Sequence, residues 1–142
     1  MPEEKLGCCL FFTANKLARI ITKMGEEEFT KTGLSPNYAF LLVAVYNYPG
    51  ISPKEISQKL HIAPSTITRF VDKLESKGLV TRKYEGKKSY IYLTEKGIEI
   101  QEEISKCWEN LYHRYSKSIG YEEGKELTLL INDVSDKLED EK

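Results

Sequence analysis

A chain of 142 residues, 40% apolar and 30% charged with a net charge of −1, has the makeup of one globular domain with its own core and not of a disordered segment. No apolar run approaches the ~20 residues of a bilayer span, and the opening Met1-Pro2-Glu3-Glu4-Lys5 lacks the basic lead and apolar stretch of a secretory signal, so the expected location is cytoplasmic. Three cysteines, Cys8, Cys9 and Cys107, form an odd count unlike a disulfide framework; with His61 and His113 the only histidines, no zinc spacing occurs and no metal or other cofactor is expected.

Helical spacing of Leu10, Ala14, Leu17, Ile21 and Met24 predicts a first helix over about 7–31, stopped by Thr32-Gly33. Ser35-Pro36 opens a second over about 36–48, with Ser35 as N-cap. Its content of Tyr38, Phe40, Leu41, Leu42, Val43, Val45 and Tyr46 places it at the buried centre. Pro49-Gly50 ends it. Ser52-Pro53-Lys54-Glu55 is a capping box starting a short third helix that turns Ile56 and Leu60 inward. After His61-Ile62-Ala63, a fourth helix runs from Pro64 to Lys77 with Ile67, Phe70, Val71 and Leu74 on its apolar face, and Gly78 stops it.

The period then changes. Leu79 to Tyr84 and Lys88 to Leu93 read as two strands around Glu85-Gly86-Lys87. Thr94 caps a long fifth helix over about 95–118, and Gly120 separates it from a sixth over about 122–140. The predicted order is α-α-α-α-β-β-α-α, mainly α with a small antiparallel β-hairpin. A helix pair joined by a tight turn and followed by a hairpin is a winged helix-turn-helix.

Charge is distributed unevenly. Residues 51–94 hold nine Lys/Arg against four acids (+5), while 1–50 sum to zero and 95–142 to −6. A basic middle coinciding with the helix pair and hairpin is the footprint of a nucleic-acid module; a solvated face is the plainer explanation of charge alone. Ser65, Thr66, Thr68 and Arg69 lie off the apolar face in the first turns of the fourth helix, the part of a recognition helix that reaches base edges. Arg bonds O6 and N7 of guanine with two donors. Lys73 is placed for phosphate, and Arg82, Lys83, Lys87 and Lys88 make the hairpin tip basic.

The segments Ile56 to Leu60, Pro64-Ser65-Thr66-Ile67-Thr68-Arg69-Phe70-Val71-Asp72-Lys73-Leu74-Glu75-Ser76-Lys77-Gly78-Leu79-Val80 and Tyr92-Leu93-Thr94-Glu95-Lys96-Gly97 resemble the multiple antibiotic resistance regulator (MarR) family. The likeness is strong over 51–97 and extends to the length and helix order of the whole chain. The resemblance implies a single domain over 1–142, with a DNA-binding lobe at 51–94 and a helical dimerisation lobe made of 1–34 and 95–142. It implies a homodimer acting as a transcriptional repressor on a palindromic double-stranded DNA operator, released by a small aromatic effector, and not an enzyme. The hairpin departs from the family pattern: the usual wing Asp-Arg pair is missing, and the loop is only Glu85-Gly86-Lys87-Lys88.

Tyr38, Tyr46 and Trp108 are candidate lining residues for such an effector, although aromatics at these spacings more often belong to a core. Cys8 and Cys9 stand where a peroxide-sensing branch of the family has a cysteine, but the accompanying tyrosine is replaced in Leu10-Phe11-Phe12-Thr13. A redox-sensing regulator of the same fold and a winged-helix protein-interaction module without DNA binding are the alternatives.

Overall fold

The computed structural model describes residues 3–141; Met1, Pro2 and Lys142, which the expected boundaries and the polar N-terminal pentapeptide include, lie outside it. Among the described residues there are seven α-helices and one two-stranded sheet. A 3-10 turn (Glu3–Cys8) leads into α1 (Leu10–Glu28), which tightens to 3-10 geometry over Phe29–Thr32 and stops at Gly33, whose φ is 72°. Next come α2 (Pro36–Asn47), α3 (Pro53–Leu60) and α4 (Pro64–Ser76). The hairpin β1 (Val80–Glu85) and β2 (Lys88–Leu93) precedes α5 (Glu95–Glu99), α6 (Gln101–Ile119) and α7 (Tyr121–Glu139).

Local chemistry accounts for most of these ends. The capping box at α3 is complete: Ser52 Oγ accepts the Glu55 N–H at 3.2 Å and the Glu55 carboxylate accepts the Ser52 N–H at 3.3 Å. Ser35 occupies the N-cap position of α2 with extended backbone, but its side chain makes no cap hydrogen bond, so Pro36 alone marks that start. In the turn between α3 and α4, His61 takes the left-handed conformation at φ 54°, a position that costs a side-chain-bearing residue more than glycine. Ser57 Oγ donates to the Ile62 carbonyl at 2.6 Å and fixes the far side of the same turn.

The hairpin pairs Val80 with Leu93 through to Glu85 with Lys88, leaving Gly86-Lys87 as a two-residue turn. Only Gly86 has a positive φ (63°), the pattern of a type II′ turn with glycine first. Ile51 adds a one-residue bridge to Ile91, with Gly50 N–H donating to the Ile91 carbonyl at 2.8 Å and Ile91 N–H to the Ile51 carbonyl at 3.0 Å.

The core is one cluster. Phe29, Leu41, Leu42 and Val45 meet Ile56 of α3, Ile67, Val71 and Leu74 of α4, Ile91 of β2, and Ile104 and Cys107 of α6. Phe70 of α4 stays half-buried against the ring of Tyr38, centroids 4.4 Å apart.

The segment Leu93-Thr94-Glu95-Lys96-Gly97 joins the two ends of this cluster. Thr94 Oγ1 accepts the Gly97 N–H at 3.1 Å as the cap of α5 and donates to the Gly78 carbonyl at 2.6 Å. Lys96 Nζ donates to the Lys77 carbonyl at 3.1 Å, satisfying a group left open at the end of α4. A Cβ on Gly97 would sit 2.2 Å from the backbone oxygen of Leu79, so the two chains pass too closely for any other residue.

The expected fifth helix is divided at Ile100 into α5 and α6. The cause is Gln101, whose side-chain amide donates to the Gly97 carbonyl at 3.1 Å and to the Leu42 carbonyl at 3.3 Å, entering the helical ladder and tying the break to α2.

The apolar stripes of the first and last helices are largely open to solvent in the single chain. Leu10, Phe11 (78% exposed) and Ile20 of α1, and Leu129 (69%), Leu130, Ile131 and Leu138 of α7, have no cover, and Gly124 is the one buried residue of α7. Arg114 of α6 holds α1 by bonds to Glu28 at 3.0 Å and Glu27 at 3.1 Å. No helix is long and apolar enough to cross a membrane among the described residues.

Two outcomes test this packing. Gly97→Ala should destabilise the protein by ~2–4 kcal/mol, because the clash is with backbone and the helix must shift; urea unfolding with an unchanged m-value measures it. Burial raises the pKa of the Cys107 thiol, with Glu103 adding to the effect, so in the native state the group stays protonated where an unfolded thiol ionises. The stability it contributes is complete below the unfolded thiol value of about 8.5 and declines as pH rises through it. Ellman's reagent at pH 8 should leave Cys107 unmodified until denaturant is added; prompt labelling in native buffer would contradict its burial.

Candidate nucleic-acid interface

The rotation of α4 about its axis is set by its core residues. With Ile67, Val71 and Leu74 fully buried, Ser65, Thr68 and Arg69 are left exposed on the opposite side and Thr66 partly so. Thr68 Oγ1 donates to the Pro64 carbonyl at 3.1 Å, which spends its proton and turns its methyl and lone pairs outward. Arg69 donates to the Thr66 hydroxyl at 3.4 Å, and among the described residues its guanidinium has no other hydrogen-bond or ion-pair partner. The start of α4 has no side-chain cap, since Ala63 stands at that position.

Lys73 and Lys77 follow along α4 as exposed cations, Lys73 with its ammonium 5.7 Å from the Tyr38 ring centre. On the hairpin, Lys83 lies over the Tyr92 ring at 4.9 Å, while Lys87 and Lys88 stand exposed at the tip. Lys87 and Lys88 line an open groove of about 650 Å³ whose other wall is the first turns of α3, with Ser52, Lys54 and Gln58. Lys54 and Gln58 were not singled out from sequence as interface residues. The signal available was that Lys54 belongs to the basic block and sits in the first turn of the helix before the recognition helix.

Arg82 is placed differently from the other cations. It shares its face of β1 with buried Val80 and lies opposite buried Ile91, so its side chain runs inward over α4. There it donates to Asp72 at 2.5 Å and to Glu75 at 2.7 Å, with its side chain only 11% exposed. Burial opposes its charge, but the hydrogen bond and charge of Asp72, reinforced by Glu75, outweigh that and raise the guanidinium pKa. Arg82, expected at the phosphate-facing tip, here braces the hairpin against the recognition helix through Asp72 and Glu75.

The aromatic candidates are not gathered into one cavity. Tyr38 stacks on Phe70, Trp108 packs against Phe40 with centroids 4.9 Å apart, and Tyr46 lines a shallow depression of about 220 Å³ with Pro49, Tyr92 and Ile98. Cys9 occupies the N-cap position of α1 with no side-chain cap bond, and Cys8 is exposed beside it. Among the described residues no side-chain hydrogen bond reaches either thiol, and no cluster of metal-ligating side chains occurs.

This arrangement can be set beside known proteins. The model of the MarR family matches residues 34–84, from the start of α2 through most of β1. The HTH-type transcriptional regulator MhqR of Bacillus subtilis is 31% identical over 107 residues, covering 73% of this chain and 72% of that protein. Riboflavin kinase of Thermococcus kodakarensis is 35% identical over only 54 residues, so this chain spans 26% of that enzyme's length. The transcriptional repressor CouR bound to a 23-mer DNA duplex superposes with a TM-score of 0.87 at 18% identity, over 95% of this chain and 98% of that one. CouR bound to p-coumaroyl-CoA gives 0.86 at 18% identity over 95% and 97%. At such identity the superposition shows the fold: a winged helix-turn-helix carried on a helical layer. By its similarity to MhqR over most of both proteins, with the family pattern centred on the helix pair and hairpin, the chain belongs to the MarR family of transcriptional regulators.

Proposed function

We propose that the protein is a DNA-binding repressor acting as a homodimer on a palindromic operator, with α4 of each subunit in the major groove. The observation that carries this is the outward edge of α4: Ser65, Thr68 and Arg69 exposed together on a helix whose other side is locked in the core. The groove between α3 and the hairpin, with Lys54, Lys87 and Lys88 on its walls, supports phosphate contact beside the helix pair. Ser65, Thr66, Thr68 and Arg69 are assigned to base readout, and Lys73, Lys83, Lys87 and Lys88 to backbone contact. Residues 51–94 form the DNA lobe, and 1–34 with 95–142 the dimer lobe. The bare apolar stripes of α1 and α7 support a symmetric partner, since a second copy offers the same stripes for burial.

The structural relatives include a repressor with a coumaroyl thioester bound. A small aromatic or aromatic-acyl effector is assigned to this chain on that basis, with Trp108 and Phe40 as the aromatic surface best placed between the layers. The site of action is the cytoplasm, with the DNA. The molecule is a regulator and not an enzyme.

Selection of bound sequences from a random duplex pool tests the reading. It should return an inverted repeat with half-site centres about one helical turn apart; an asymmetric or absent consensus argues for a protein-contact module instead. On the selected operator, Arg69→Ala should cost ~1–3 kcal/mol and relax preference at one position per half-site. Lys87→Ala with Lys88→Ala should weaken binding to all duplexes alike and flatten the salt dependence, read by fluorescence anisotropy at two salt concentrations.

A further inference from the structure

Asp72 follows Arg69 by three residues and Thr68 by four, which places its carboxylate on the outward side of α4, next to the residues assigned to base readout. It is 61% exposed there. At this spacing an aspartate and an arginine on a helix surface attract one another. Arg69 nevertheless points to Thr66, one turn toward the N-terminus, and Asp72 is taken by Arg82 from the hairpin. Glu75, one turn further along, is held by the other guanidinium nitrogen. One arginine thus neutralises the two acids of the recognition helix, and strand alternation delivers it: Arg82 is in phase with Val80 and opposite Ile91.

We infer that Arg82 is a positioning residue for DNA recognition: by holding Asp72 and Glu75 it prevents them from capturing Arg69 and from facing phosphate unpaired. Arg82 thereby acts on specificity without touching DNA. This rests on the assignment of the chain as a DNA-binding protein. It explains why an acid is tolerated beside the reading edge at all, since a bare carboxylate there would repel the backbone and compete with the guanine for the guanidinium.

The test compares wild type, Arg82→Met, Arg82→Lys and the triple variant Arg82→Met/Asp72→Asn/Glu75→Gln. Each is titrated with the selected operator and a random duplex at two salt concentrations, with thermal melts as a check of folding. Arg82→Met should lower the operator-to-random preference by about tenfold, the order expected for one lost base contact, while the salt slope on random duplex stays unchanged. The triple variant should recover the preference, because with the acids neutral Arg69 is released, and Arg82→Lys should lie between. If Arg82→Met weakens both duplexes equally and lowers the slope by about one, Arg82 is a phosphate ligand and the inference is wrong. It is equally wrong if preference stays intact in Arg82→Met or is not restored in the triple variant. Should Arg82→Met fail to fold, the triple variant decides, as it leaves no unpaired charge. Wild type binding neither duplex at either salt would instead remove the DNA-binding assignment itself.

Discussion

The burial of Ile67, Val71 and Leu74 is the constraint on which the rest of the molecule depends. Three aliphatic side chains fully withdrawn from water contribute together on the order of 5–9 kcal/mol. Exposed ion pairs contribute roughly 0–1 kcal/mol each. Packing therefore fixes how α4 is turned, and charge only decorates what remains outside. A rotation by one residue would swing Arg69 toward the core and lift Ile67 or Val71 into water, so the chemistry of the outward edge is inherited from the apolar pattern beneath it. The same logic extends to the hairpin, whose register is set by Val80 and Ile91 facing inward.

Much of this was legible in the residues before any coordinates. The three-four spacing on α4, the capping box at Ser52, the break at Gly78 and the hairpin around Gly86 rest on short-range geometry, and each appears as expected. What could not be read depended on partners distant in the chain. The division at Ile100 requires the Leu42 carbonyl to lie within reach of Gln101, 59 residues away. The bridge from Ile51 to Ile91 is likewise a product of the folded core. Arg82 lies between these cases. Its charge suggested DNA, and only the folded hairpin brings it against Asp72 and Glu75. Charge counted by block conceals such pairing, because a cation spent on its own protein no longer attracts phosphate.

The outer helices illustrate a different limit. The apolar stripe of α1 is legible from its period, but a period does not say what covers it. In the single chain the outer helices' leucines, Phe11 and isoleucines face water. A 19-residue helix with one buried glycine has little to hold it in place, since helices of this length are marginal alone. Cover from a second copy would complete it, and the stability of these outer helices would then depend on protein concentration. α3, α4 and the hairpin are instead held by the single buried cluster they share with α2 and α6 and by the Thr94–Gly97 junction.

These two kinds of stability meet in α6. At one end Ile104 and Cys107 are sealed in the shared core; further along Arg114 grips Glu27 and Glu28 of α1, and Trp108, half open beside Phe40, lies between. α4 is tied to the start of α5 through the carbonyls of Lys77 and Gly78, and Gln101 ties the start of α6 to Gly97 and to Leu42 of α2. In a twofold assembly a displacement of α6 would act on both recognition helices and change the separation of the two reading edges. A duplex with a fixed helical repeat tolerates little error in that separation. A displacement of α6 is therefore felt at α4 without any contact at the reading edge itself.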